Sequence, residues 1–318
     1  MSPQPLPIVY PSRLRPGDVI GLVSPASPVL EPARIETGTR YLERNGYRVK
    51  IGTHVGKTYG YLAGTDRERT DDLHAMIRDP QVKALFCLRG GYGVPRILPA
   101  LDYELFRTHP KIIVGYSDIT ALLLALFARS GLVTFHGPMV AVDFGGAVDP
   151  FTEQSFWDSL NGGIPGRWLP IAGPDGQGTL HGGHGSGRLL GGNLSLLSAM
   201  AGTPYLPDFH GSILFLEEIG EEPYRVDRML NQLAQAGILT GLQAVLAGQF
   251  TECTPKDPSR PSLSIEEVLQ SVSSTLGVPF LSGCRFGHIP TFLTLPVGIR
   301  AEVDADQAQI RFSESPVL

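Results

Sequence analysis

From residue 18 onward the chain alternates short, wholly apolar stretches with longer segments whose apolar residues recur every three or four positions. DVIGLVSPAS, entered through a Pro16-Gly17 turn, predicts a buried strand running into a loop, and EPARIETGTRYLERNG predicts a helix that closes on Gly46. The alternation continues with the strand-like YRVKIG, the helix DRERTDDLHAMIRDP ended before Pro80, and the strand VKALFCLRG. VPRILPALDYELFRTHP reads as a partly helical crossover, followed by the strand KIIVGYS, the helix DITALLLALFARSG and the strand LVTFHGP. Strands that are apolar throughout and separated by helices imply a parallel sheet covered on both faces. The expectation is an α/β chain with an N-terminal doubly wound parallel-sheet domain.

Between residues 161 and 187 the pattern breaks into NGGIPGRWLPIAGPDGQGTLHGGHGSG, dense in glycine and proline, as expected of a connection between domains. The predicted division is residues 1–165 and 166–318, with 166–187 as the link. A second set follows: a short helix in GGNLSLLSAMAG, the strand SILFLEE, the helix PYRVDRMLNQLAQAG, the strand AVLAGQF, the helix SIEEVLQSVSSTLG, and a terminal hairpin in GIRAEVDADQAQIRF. Val226, Met229, Leu230 and Leu233 recur at i, i+3, i+4 and i+7, so one stripe of their helix faces a core. A smaller C-terminal α/β domain is therefore expected, and no solenoid or propeller repeat is visible.

Composition narrows the function classes. The 318 residues carry 26 Lys+Arg and 31 Asp+Glu, a net charge of −5, which gives no general attraction to nucleic acid or an anionic membrane. A small-molecule partner is the better default. Cys87, Cys253 and Cys284 are odd in number, far apart and without CxxC spacing, which argues against a disulfide framework or a zinc-thiolate site. The opening MSPQPLPIVYPSRLRPGD lacks the apolar stretch of a signal peptide, and ITALLLALFA is about half of the roughly 20 residues a membrane span needs. A cytoplasmic protein is expected.

Chemistry could reside first in IIVGYSDITALLLALFA. A buried strand ends at Gly115-Tyr116-Ser117-Asp118 and a helix begins at once, putting Ser117 at the carboxyl end of a parallel strand, where open α/β sheets build their sites. That is nucleophile-elbow geometry, and the helix start would offer the Asp118 N–H to an oxyanion. Ile119 occupies the position of the second glycine in G-x-S-x-G. The competing reading is that Ser117 or Asp118 simply caps the helix.

A glycine cluster, Arg89-Gly90-Gly91-Tyr92-Gly93, follows the strand VKALFCL and could supply a second oxyanion donor. A nucleotide loop would need glycine at Arg96, and a plain tight turn is the third option. In SILFLEEIGEEPYRVDRML, Glu217 or Glu218 would emerge at a strand end to orient a histidine; alternation puts them on opposite faces, so one can serve, or both are solvated loop acids. Among eight histidines, His288 lies in a Gly-His-Ile-Pro turn suited to a general base, and His136 in TFHGP could line the same site. His181 and His184 are spaced H-x-x-H without a nearby Glu or Cys, so no metal is expected there.

Taken together, PGDVIGLVSPAS, RGGYG, GYSDITALL, FHGPM, LLGGNLSLL, LFLEEIGEEPYRVDRML and GHIP resemble, in order along the chain, the LD-carboxypeptidases and the related microcin-immunity serine peptidases. The resemblance implies a Ser-Glu-His triad of Ser117, Glu217 and His288, with Glu218 in reserve, and an oxyanion hole from backbone N–H groups of Gly90, Gly91 and Asp118. It implies a cofactor-free hydrolase acting on a small peptide with a free C-terminal carboxylate, such as a murein tetrapeptide ending in D-Ala, or on an aminoacyl-nucleotide antibiotic, and it favours a homodimer. Arg89 and Arg225 are the candidates for binding the carboxylate, because a guanidinium pairs with it in bidentate fashion. A non-catalytic peptide- or nucleotide-binding module of the same architecture is the alternative from another class.

Overall fold

The computed structural model describes residues 6–173 and 178–318 and shows two α/β domains. The first half contains β1 (Val19–Val23), α1 (Pro32–Arg44), β2 (Arg48–Ile51), α2 (Asp66–Arg78), β3 (Val82–Cys87), α3 (Val94–Ile97), α4 (Tyr103–Thr108), β4 (Ile112–Gly115), α5 (Thr120–Ser130), β5 (Thr134–His136) and α6 (Pro150–Asn161). The second contains β6 (Trp168–Pro170), β7 (Thr179–His181), β8 (His184–Asn193), α7 (Leu194–Met200), β9 (Ser212–Ile219), α8 (Pro223–Gln235), β10 (Ala244–Thr251), α9 (Ile265–Leu276), β11 (Phe280–Leu281), β12 (Leu295–Val297), β13 (Arg300–Asp304) and β14 (Gln309–Phe312).

The first sheet runs β12-β5-β4-β3-β1-β2, parallel except for β12, which returns from the second half to pair antiparallel with β5. Its strands are buried on both sides because each face has its own helices. Ile20, Leu22, Phe86 and Val114 pack with Leu42 of α1 and Phe156 of α6, whereas Val19, Val23, Leu85 and Ile113 pack with Leu73 and Met76 of α2 and with α5. This is the doubly wound arrangement that uninterrupted apolar strands demand.

The second sheet is mixed, in the order β6-β14-β13-β8-β9-β10-β11-β7, with β8 through β11 parallel and β13-β14 forming the expected terminal hairpin. Helix α5 lies between the sheets, against α7 and β8 as well as β4 and β5. Its residues from Thr120 to Leu126 are all buried, which explains an apolar run without a polar face. Burying each of its leucines stabilises by about 1.5–3 kcal/mol, so the interface that α5 fills is a core and not a loose contact.

The structure adds three features to the sequence reading. Residues 161–187 contribute β6, β7 and the first residues of β8. The glycines of β8 stand where neighbouring backbone comes close: a Cβ at Gly185 would lie 2.3 Å from the Gln243 carbonyl, and one at Gly187 2.4 Å from that of Gly211. Helix α6 and strand β12 are additional elements; two of the four buried residues of α6, Thr152 and Ser159, are polar, which weakens any amphipathic signal.

Candidate active site

Strand β4 ends at Gly115, and the chain turns through a short 3₁₀ segment, Ser117–Ile119, into α5. At Ser117 the backbone takes φ 61°, in the left-handed region that side-chain-bearing residues rarely adopt. The turn has the strained strand-to-helix geometry that nucleophile elbows also use, and such strain, about 1–3 kcal/mol, persists only where the surroundings enforce it. Ile119 is accommodated because Gly115 makes room: a Cβ on Gly115 would fall 2.7 Å from the Ile119 Cγ2.

Neither Ser117 nor Asp118 caps a helix through its side chain. Instead the Val94 N–H donates to Asp118 Oδ2 at 2.8 Å, tying the turn to the end of the glycine cluster. Burial pushes the Asp118 carboxyl up to about 6, against the opposing pull of that hydrogen bond and of the Arg69 charge. Gly90 lies directly across from the serine: a Cβ there would be 2.8 Å from Ser117 Cβ, 3.0 Å from Oγ and 3.3 Å from the Asp118 nitrogen. Among the described residues, the N–H groups of Gly90 and Gly91 have no acceptor. Free donors beside a serine hydroxyl at a helix start are suited to a developing oxyanion.

The two glutamates of β9 have different surroundings. Both sit inside the strand and are buried, so neither is a solvated loop acid. Glu218 accepts from the Ser195 N–H at 2.7 Å, the Ile219 N–H at 2.9 Å and Asn193 Nδ2 at 3.1 Å, which anchors the start of α7. Glu217, with no exposed surface, faces the other way and meets His288 Nδ1 through Oε2 at 2.7 Å. Gly287 permits this approach, since a Cβ there would crowd the Glu217 side chain at 3.1 Å. Glu217 pairs with Asn193 across β8 and β9, and the Asn193 N–H donates to Thr120 Oγ1 at 3.0 Å, three residues beyond the serine. Tyr116, the residue before Ser117, sets its ring edge-on to the His288 imidazole with centroids 5.0 Å apart. The alcohol, carboxylate and imidazole segments thus meet at the carboxyl ends of β4 and β9.

Two family models match this chain: the LD-carboxypeptidase N-terminal domain over residues 20–137 and the LD-carboxypeptidase C-terminal domain over residues 186–303. The chain belongs to the LD-carboxypeptidase family. This family member is 42% identical over 298 residues to the probable murein peptide carboxypeptidase of Bacillus subtilis (strain 168), covering 92% of this chain and 91% of the relative. It is similar to the crystal structure of muramoyltetrapeptide carboxypeptidase from Oxalobacter formigenes, with a TM-score of 0.82 and 34% identity over 92% of this chain and 97% of the other. It is also similar to the structure of MccF in complex with glutamyl sulfamoyl guanosine, with a TM-score of 0.89 and 28% identity over 97% of this chain and 99% of the other.

In this LD-carboxypeptidase family member a cavity of about 380 Å³ opens beside His288, lined also by Tyr116, Asp143, Asp149 and Thr152. Burial pushes the Asp143 carboxyl up to about 6, although the Met139 N–H donates to it at 2.7 Å and the His288 charge and the Tyr116 hydroxyl pull the other way. Asp143 reached no notice in the sequence because VAVDFGG carries no motif; only the fold brings it to Tyr116 and His288. His136 does not line this cavity. It is fully buried behind Tyr116 among Phe215, Phe286 and Phe292, and burial, followed by the His288 charge, pushes it down to about 3. Its ring has no exposed surface.

Arg89 is half-buried beside Gly90, its Nη1 donating to the Pro28 carbonyl at 3.3 Å. Arg225 is exposed on α8, and its partners are Glu221 and Tyr224, neither of them in the Ser117–Glu217–His288 group. His184 lies near Asp304 and Asp306; Asp304 Oδ1 accepts the Asp306 and Gln307 N–H groups of its own turn, and Asp306 Oδ1 accepts the Gly183 N–H at 3.0 Å. Cys87, Cys253 and Cys284 are free and buried. No described helix is long and apolar enough to cross a membrane.

Proposed function

We propose that the chain is a serine carboxypeptidase that hydrolyses an L,D-peptide bond and releases a terminal D-amino acid from a short murein peptide. The observation that carries this reading is the 2.7 Å contact between His288 Nδ1 and the buried Glu217 carboxylate. A carboxylate on Nδ1 holds that nitrogen protonated, which leaves the Nε2 lone pair as the base. Ser117 Oγ attacks the scissile carbonyl while its proton passes to Nε2, and the carbonyl oxygen becomes an anion facing the N–H groups of Gly90, Gly91 and Asp118. The imidazolium then returns the proton to the leaving amine. Water, deprotonated by the same nitrogen, releases the acyl group and restores the serine. Arg89, beside the glycines, is the arginine suited to the terminal carboxylate of the substrate. The murein peptidases among the relatives support the peptide as substrate.

A second reading, cleavage of an aminoacyl-nucleotide, is favoured by the likeness to MccF bound to such a compound. Mass spectrometry separates the two: a murein tetrapeptide ending in D-Ala and an aminoacyl-sulfamoyl-adenosine are each incubated with the wild-type protein and with Ser117→Ala. The expected result is release of D-Ala by the wild type alone. Release at the wild-type rate by Ser117→Ala would remove the nucleophile assignment, and cleavage of the nucleotide conjugate only would transfer the substrate to the second reading.

A further inference from the structure

Arg69 of α2 is an arginine with no solvent-exposed side chain and no part in the chemistry above. A buried guanidinium is costly to desolvate unless its donors are well used, so its partners indicate its role. Nη1 donates to the Pro25 carbonyl and to the Gly93 carbonyl, the latter at 2.9 Å, and Nη2 pairs with Asp66 Oδ1 at 2.6 Å. Asp66 is held in turn by Arg96 at 2.7 Å and 2.9 Å. The segment on which this converges is the one facing the serine. The Ser27 N–H donates to the Gly90 carbonyl at 3.3 Å, Ser27 Oγ accepts the Tyr92 N–H at 3.0 Å, Arg69 holds the Gly93 carbonyl, and Asp118 accepts the Val94 N–H. The Gly90 and Gly91 N–H groups, which have no acceptor among the described residues, lie inside this set of anchors.

We propose that Arg69 is a positioning residue for the oxyanion donors, clamping the far end of the Gly90–Gly93 loop so that its free N–H groups stay fixed against Ser117. The inference rests on the proposed serine mechanism and adds a residue remote from the substrate. Lysine in this place would present one ammonium where the fork of Arg69 reaches two carbonyls and a carboxylate, so the geometry calls for arginine specifically. Close approach is already tight: a Cβ at Gly93 would lie 2.8 Å from Arg69 Nη1. Misplacing catalytic donors by about 1 Å lowers rate by roughly 100-fold without changing what the site binds.

The test compares wild type, Arg69→Lys, Arg69→Met, Asp66→Asn and Ser117→Ala. Each is measured by labelling with a fluorophosphonate, in which the serine oxygen bonds phosphorus and fluoride departs, and by turnover of the murein tetrapeptide. Circular dichroism and thermal midpoints define the temperature range in which each variant is folded. For folded Arg69→Lys and Arg69→Met, the limiting labelling rate and kcat should fall by about 100-fold while the half-saturating concentrations stay within about threefold. Asp66→Asn, which frees one arm of the clamp at a partly exposed position, should show the same split with a smaller loss. Wild-type limiting rates in folded Arg69 variants would overturn the proposal; if those variants do not fold, an unchanged limiting rate in Asp66→Asn would overturn it. Labelling or turnover that survives in Ser117→Ala would instead count against the serine mechanism itself, so the two failures are distinguishable.

Discussion

Glu217 and His288, 71 positions apart in sequence, are joined at 2.7 Å, and the glutamate has no contact with solvent. The adjacent Glu218 is also buried, but its carboxylate accepts from Asn193 Nδ2 and the Ser195 N–H at the start of α7 and from the Ile219 N–H of its own strand. One strand therefore carries two identical side chains, one oriented to a histidine and one to the amide donors at the start of α7.

That difference predicts opposite phenotypes. Glu217→Gln keeps the shape but no longer holds the Nδ1 proton, so kcat should fall by about 10³–10⁴-fold with little change in thermal midpoint. Glu218→Gln leaves a buried N–H facing an amide donor and should lower stability by about 1–3 kcal/mol, with kcat within a few-fold of wild type. Denaturant melts and steady-state kinetics on both variants check the pair; equal kinetic losses would contradict the division of roles.

The pH profile follows from His288. Burial by itself lowers its pKa, but the hydrogen bond and charge of Glu217, with the charges of Glu218 and Asp143, outweigh burial and raise it above 6.5. The base must be neutral to accept the serine proton, so kcat/KM should rise with pH through a limb lying above 6.5. Because the folded protein holds this proton more tightly than the unfolded chain, the associated stability is complete below the unfolded value and is lost as pH climbs through the folded one. In Glu217→Gln the limb of the residual activity should move to lower pH; a limb in the same place would mean that another group is titrating.

Gly90→Ala tests the oxyanion donors. Gly90 does not use the left-handed region, so alanine suits its backbone, but the new methyl would sit 2.8 Å from Ser117 Cβ. The expected outcome is a drop in kcat of about 10²–10³-fold, comparable to losing one donor. Far-UV circular dichroism should be unchanged. Full activity in this variant would show that the loop is not where the anion forms.

The sequence made the chemistry-bearing segments legible because each has a strong local cause. Apolar strands followed at once by helices mark the parallel sheet, and GYSDITALL puts Ser117 at a strand-to-helix junction. The expectations that changed rested on weaker local signals. Glycine in β8 reads as part of a connection between domains, and in the strand the Gln243 and Gly211 backbones come within 2.4 Å of where a side chain would begin. Polar residues on the buried side of α6 hide its period, and β12 is three residues long and gains its pairing only from β5.

Periodicity and turn chemistry act over a few residues, and that is the range in which this sequence by itself determined structure: strands, most helices, and the shortlist of Ser117, Glu217 or Glu218, and His288. Which of the two glutamates meets His288, the removal of His136 from the cavity lining, and the approach of Asp143 and Arg69 to their neighbours are features of the tertiary structure; for the glutamate, the contact agrees with the choice of Glu217 that the resemblance implies. Those outcomes depend on which face of a strand meets which loop and on how far burial excludes water, and both are properties of segments that meet only after the chain has folded.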